Sequence, residues 1–138
     1  MKNKNAFKLL FIVAMAIMLT LPSCQKYTDG PFISLVSRTE RVANTWKVDN
    51  YKVNGVDYTS LVSDYNETYT KEGTYSYSMG IVSGTGTWSF QNNDKEINLV
   101  GITNQNSHTL FILKLEEKSF WFYYMDGTDK KEFHMNQK

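Results

Sequence analysis

The chain has 138 residues, 15 basic and 14 acidic side chains, and a single cysteine. That length supports one domain. A near-balanced charge gives no electrostatic basis for gripping nucleic acid, and one cysteine excludes a disulfide framework within the chain.

The N-terminus is an address label. Lys2, Lys4 and Lys8 precede thirteen uncharged, mainly apolar residues, 9–21 (LLFIVAMAIMLTL), which stop at Pro22-Ser23-Cys24. A basic start, a short apolar run and a small residue before the break form a secretory signal. The run rises about 20 Å as a helix, short of the roughly 30 Å hydrocarbon core, so a membrane span is the poorer reading. The run Leu21-Pro22-Ser23-Cys24 resembles the lipobox of bacterial lipoproteins, with Pro22 a less usual spacer. The resemblance implies cleavage after residue 23, a lipid on Cys24 and a membrane partner reached through that lipid. Gln25 is not aspartate and no acidic run follows it, so the resemblance also implies an outer-membrane anchor facing the periplasm. Removing residues 1–23 takes three basic and no acidic residues, leaving a formal charge of −2 on 115 residues that hold eighteen of the twenty aromatics.

Residues 25–31 (QKYTDGP) are polar, end in Gly-Pro and read as a tether. The organisation expected is therefore a signal peptide over 1–23, a lipidated cysteine and tether over 24–31, and a folded domain over 32–138. The next signal is helical: Ser37 with Glu40 fits a capping box, with Ser34 as an alternative cap. Leu35, Thr39 and Val42 follow helical spacing, which predicts a helix of about eight to ten residues, too short to be stable without a sheet to pack on.

From Thr45 the pattern becomes strands and turns. Trp46 and Val48 alternate with Lys47 and Asp49, and the run continues to Val53. Asn54-Gly55 is a favoured two-residue hairpin turn with its return over 56–60. Residues 61–66 fit either a loop or a slipped strand edge. Short strands follow over 67–70 and 74–79, the second with Tyr75, Tyr77 and Met79 on one face. Residues 83–90 form the central strand, with Gly84, Gly86, Trp88 and Phe90 inward and short polar residues outward. The glycines suit a tightly curved wall and leave space beside the rings. After the turn at 91–95, strands are predicted over 96–102, 108–116, 119–125 and 130–136. In the second of these, Lys114 marks Leu110 and Ile112 as outward and Phe111, Leu113 and Leu115 as inward. In the third, the inward set is either Phe120, Phe122 and Tyr124 or Trp121, Tyr123 and Met125. About eight short strands at this spacing predict an all-β antiparallel barrel, which closure rids of exposed edges.

The short helix, the strand opening Asn44-Thr45-Trp46-Lys47-Val48 and the later Gly86-Thr87-Trp88-Ser89-Phe90 resemble the small lipocalin-like lipoproteins of Bacteroidota. The motifs are short, and Asn44 stands where lipocalins usually have glycine. The resemblance implies an eight-stranded barrel with a short N-terminal helix plugging one end and Trp46 against it.

Chemistry is sparse. His108 and His134 have no third ligand at a metal spacing. Glu116 and Glu117 point to opposite faces of a strand, and Gly84-Thr85-Gly86 lacks the lysine and helix of a phosphate cradle. No enzyme, metal or cofactor is expected. The inward aromatics Trp46, Tyr75, Tyr77, Trp88, Phe90, Phe111 and Phe122 either line a cavity for a small apolar or amphipathic ligand or fill the barrel. A filled barrel leaves an envelope protein–protein interaction module as the other function, its partner unspecified and its contacts sought at exposed positions such as Trp121 or Tyr123.

Overall fold

The computed structural model describes Tyr27 and residues 35–138. Residues 1–23 and Cys24, which carry the signal and lipidation readings, lie outside the described residues. A short helix, α1 (Arg38–Val42), is followed by β1 (Thr45–Val53), β2 (Val56–Asp57), a 3-10 turn (Thr59–Leu61), β3 (Asn66–Tyr69), β4 (Thr74–Met79), β5 (Val82–Gln91), β6 (Glu96–Val100), β7 (His108–Leu115), β8 (Ser119–Asp126) and β9 (Asp129–Gln137). Every pairing is antiparallel, and β1 pairs with both β3 and β9, which closes the ring. Eight strands make the wall, as predicted. The two-residue β2 pairs only with the far end of β1, across an Asn54-Gly55 turn whose φ angles are both positive.

One end is plugged. Ser37 accepts from the Glu40 amide while the Glu40 carboxylate accepts from the Ser37 amide, the reciprocal cap read in the sequence. The helix has five residues rather than eight to ten, because it starts at the Ser37 cap and breaks at Ala43, where ψ is 82°. Leu35 is therefore outside it and fully exposed, not packed on the core. Val42 is buried, its carbonyl accepts from the Trp46 indole at 2.9 Å, and an Arg41 guanidinium nitrogen donates to the Leu115 carbonyl at 2.7 Å. The β5–β6 turn adds to this end. Asn92, Asn93 and Asp94 all have positive φ, a conformation that Asn and Asp tolerate. Asp94 then meets Arg38 at 2.7 Å through its carboxylate and the Tyr27 hydroxyl at 2.9 Å through its carbonyl. Tyr27, read as part of a loose tether, is buried against the barrel.

Two bulges set which residues face inward, and neither shows in the periodicity. In β1 the register skips Asp49, so Trp46 and Val48 face in before it and Tyr51, opposite Phe133, after it. In β7 it skips Leu113. The sequence reading took Lys114 to place Leu110 and Ile112 outward and Phe111 inward, and the structure reverses this. Leu110 and Ile112 are buried opposite Ile97 and Phe122, and the extra residue lets Lys114 reach the outside with Leu115 again inside. Phe111 is half-buried on the outer wall, stacked on Tyr123 at 4.9 Å, where both border the groove that holds Tyr27. In β8 the inward set is Phe120, Phe122 and Tyr124. Trp121 and Tyr123 point outward but are covered by neighbours: His134 stacks on Trp121 at 4.1 Å, and Lys130 sits 4.5 Å over the Tyr123 ring.

The space that Gly84 and Gly86 leave is already taken. After β6 the chain turns inward at Gly101 (φ 64°), buries Ile102 and bonds the Thr103 amide to the Thr85 carbonyl at 2.9 Å. A Cβ on Gly84 would lie 2.5 Å from the Tyr77 ring and 2.8 Å from the Thr103 carbonyl oxygen, and one on Gly86 would lie 2.9 Å from the Val100 carbonyl oxygen. Backbone oxygens cannot swing aside. Gly84→Ala and Gly86→Ala are each expected to lower stability by about 1–3 kcal/mol, measured by urea unfolding, as overpacked sites do. A wild-type unfolding midpoint in both variants would contradict this packing.

Candidate functional site

Filling decides where a ligand can go. Trp46, Tyr69, Tyr75, Phe120 and Phe122 are all almost or completely buried in the lower barrel, with Tyr69 edge-on to both Trp88 and Phe120 at 5.8 Å. The end opposite α1 is open. A cavity of about 550 Å³ lies there, within the range of small-molecule sites. Its aromatic wall is Tyr51 from β1, Tyr65 just before β3, Tyr124 from β8 and Phe133 from β9. Phe133 is the hub, 4.5 Å from Tyr51, 5.6 Å from Tyr65 and 6.1 Å from Tyr124 between ring centres. The β6–β7 loop supplies a polar wall of Gln105, Asn106 and Ser107, followed by His108 stacked on Tyr124 at 4.2 Å.

Four polar side chains in this cavity have no partner within the described fold. The Tyr51 and Tyr124 hydroxyls and the Gln105 and Asn106 carboxamides make no hydrogen bond among the described residues. His108 Nδ1 lies 2.9 Å from the Asn106 carbonyl, which can only accept, so Nδ1 carries the hydrogen and Nε2 is left as an acceptor. Burial holds the His108 imidazole below its ordinary value and pushes the Tyr124 and Tyr51 phenols up. Asp126 and Lys131 at the rim pair with each other.

Directly beneath lies the one buried carboxylate among the described residues. Glu67 accepts from Tyr65 at 2.7 Å and Tyr75 at 3.0 Å on one oxygen, and from Tyr69 at 2.7 Å on the other. Burial raises its pKa, and the three phenols only partly offset that. Three donors on a carboxylate satisfy it without a cation, as a buried charge requires. Tyr65 links the two layers, lining the cavity with its ring and bonding Glu67 with its hydroxyl.

The phenols give the fold a pH limit. Burial first, and the Glu67 carboxylate second, push Tyr65, Tyr69 and Tyr75 well above the ordinary value of 10.0. A group whose pKa is raised by folding stabilises the fold in full below its unfolded value. It loses that contribution as pH rises, because the unfolded chain sheds protons the fold retains. Each phenol steepens the loss by about 1.4 kcal/mol per pH unit, so three together remove about 4 kcal/mol per unit from a total of roughly 5–15 kcal/mol. Cooperative unfolding is expected within a few units above pH 10, with tyrosinate absorbance and loss of the sheet circular-dichroism signal in one transition. Full tyrosinate absorbance with an intact sheet would contradict it.

None of the seven aromatics singled out in the sequence lines the mouth. Trp46, Tyr75, Tyr77, Trp88 and Phe122 belong to the packed interior, Phe90 borders a groove beside α1, and Phe111 is outside. The Tyr75 and Tyr77 hydroxyls face the fold itself, donating to Glu67 and to the Thr103 carbonyl. The cavity residues were individually faint. Tyr124 belonged to one of two open faces, Tyr51 needed the β1 bulge, and Gln105 and Asn106 looked like any polar turn. Glu67 had a usable signal, since it shares the inward phase of Tyr69. His108 and His134 stand on β7 and β9, separated by β8, and no group of three or more His, Cys, Asp or Glu among the described residues is placed to hold a metal.

No family model and no curated protein matches the chain. Among solved structures it is similar to the crystal structure of a DUF4847 family protein from Bacteroides vulgatus ATCC 8482, at 14% identity, a TM-score of 0.51, and coverage of 70% of this chain and 94% of that one. At that identity the likeness is one of fold alone.

Proposed function

We propose that this chain is a lipid-anchored, lipocalin-like barrel of the cell envelope that holds a small amphipathic ligand at its mouth and performs no catalysis. The observation behind the reading is the open cavity itself, aromatic on one wall and polar on the other, above an interior with no room. Tyr27 supports the anchoring geometry. It is buried beside the plugged end only three residues after Cys24, a reach of about 10 Å. A lipid on Cys24 then sets α1 toward the bilayer and the mouth toward the periplasm, at the outer membrane in our reading.

Two experiments test it. Saturable binding of Prodan, a small uncharged fluorescent amphiphile, should occur and be lost in Gln105→Trp, which fills the mouth from an exposed loop position. A binding curve that this variant leaves unchanged would count against the cavity. Separately, Cys24→Ser should release the protein from the membrane fraction, and retention there would remove the anchor from the account. The interaction-module reading draws support from the rim, where Leu61 and Ile81 are exposed at 71% and 103%. Cross-linking in membranes that recovers a second protein through these positions, with no small-molecule binding, would favour it.

A further inference from the structure

We infer that the mouth cavity takes a neutral saccharide ring, a conclusion that rests on the proposed ligand site and names the ligand class. Three observations exclude the alternatives. Below Tyr65 and Phe133 the barrel is filled by Phe122 and by Glu67 with its three tyrosines, so an acyl chain has no channel to enter. The rim charges Asp126 and Lys131 are paired with each other, and Glu67 is saturated by phenols, so no lone charge awaits an anionic or cationic head. What remains unengaged is neutral and two-sided: the Tyr51 and Tyr124 hydroxyls and the Gln105 and Asn106 carboxamides, which both donate and accept, and His108 Nε2, which accepts.

That set, facing a wall of ring faces, matches one chemistry. A sugar ring has a C–H face that stacks on aromatics and an edge of hydroxyls that both donate and accept, and it is uncharged. An acyl chain would cover the half-buried Tyr51 and Tyr124 hydroxyls and leave them unpaired, at a cost for each. A flat apolar ring such as a sterol would do the same.

Calorimetric titration of the mature chain with cellobiose, maltose, xylobiose and N,N′-diacetylchitobiose tests this directly, with the uncharged fluorescent probe Prodan as the second arm. At least one saccharide is expected to bind saturably at one site and to displace the fluorescent probe. Gln105→Ala combined with Asn106→Ala should weaken it by about tenfold or more, the loss of two hydrogen bonds. Both positions are exposed, so the fold should be unaffected, and displacement on the unmutated protein gives an answer independent of the variants. Saccharide binding that ignores the two substitutions and does not displace the probe would overturn the assignment. Probe binding abolished by Gln105→Trp, with every saccharide silent, would overturn the ligand class and leave the mouth site standing. Silence in both arms would remove both.

Discussion

Glu67→Ala is expected to destabilise the protein by about 3–5 kcal/mol, the range for removing one partner from a buried charged network. The carboxylate accepts three phenolic hydrogen bonds in full burial, so its loss leaves Tyr69 without an acceptor. Tyr65 and Tyr75, 3.3 Å apart, keep only each other. Glu67→Gln should cost less, about 1–2 kcal/mol, because the carboxamide oxygen still accepts and its nitrogen can donate to a phenol oxygen. The gap between wild type and Glu67→Gln also carries a pH signature. Burial raises the Glu67 pKa above its ordinary 4.5, so its contribution is complete below that value and declines as pH rises through the folded one. The gap should therefore be wider at pH 4 than at pH 7. Exposed carboxylates with lowered values, such as Asp57 and Asp126, run the other way, but they are common to both proteins and cancel. Urea unfolding of the pair at both pH values checks it, and a gap that grows with pH would contradict the burial.

Trp46→Ala is expected to cost a similar 3–5 kcal/mol and to loosen α1. The ring is wholly buried 5.6 Å from Phe120, and its N–H holds the Val42 carbonyl. A helix of five residues has no stability of its own, so losing the tryptophan also loosens the seat of Arg41 on Leu115. Trp46→Phe should recover most of the packing and none of the hydrogen bond. Limited proteolysis near Ala43, faster in the alanine variant than in the phenylalanine one, separates these contributions. Equal cleavage in both would assign the anchoring of α1 to the hydrogen bond.

The strands were legible because each is written in a few consecutive residues. Residues 74–79 are a strand as expected, and Asn54-Gly55 and the Ser37–Glu40 cap work as local chemistry requires. What escaped was non-local. The bulges at Asp49 and Leu113 are determined by partners across the sheet, so periodicity assigned Phe111 to the wrong face and gave no sign of Tyr51. The space expected beside Gly84 and Gly86 is filled by the chain's own segment around Ile102. The mouth is assembled from six separate stretches that closure brings together, and no one of them resembles a site. Tyr27 lay in a polar stretch whose neighbours gave no hint of a seat on the barrel.

The division between a packed interior and an open mouth can be read from three indole signals. Trp46 and Trp88 are buried at the plugged end, their N–H groups bonded to the Val42 and Thr70 carbonyls, and Trp121 is on the outer wall. In a nitrogen–proton correlation spectrum recorded with a saturating mouth ligand, backbone signals of Tyr65, Gln105, Asn106, His108 and Tyr124 should move while all three indoles stay in place. Displacement of the Trp46 or Trp88 indole, with the loop at 105–108 unmoved, would mean that the ligand enters the barrel we describe as full.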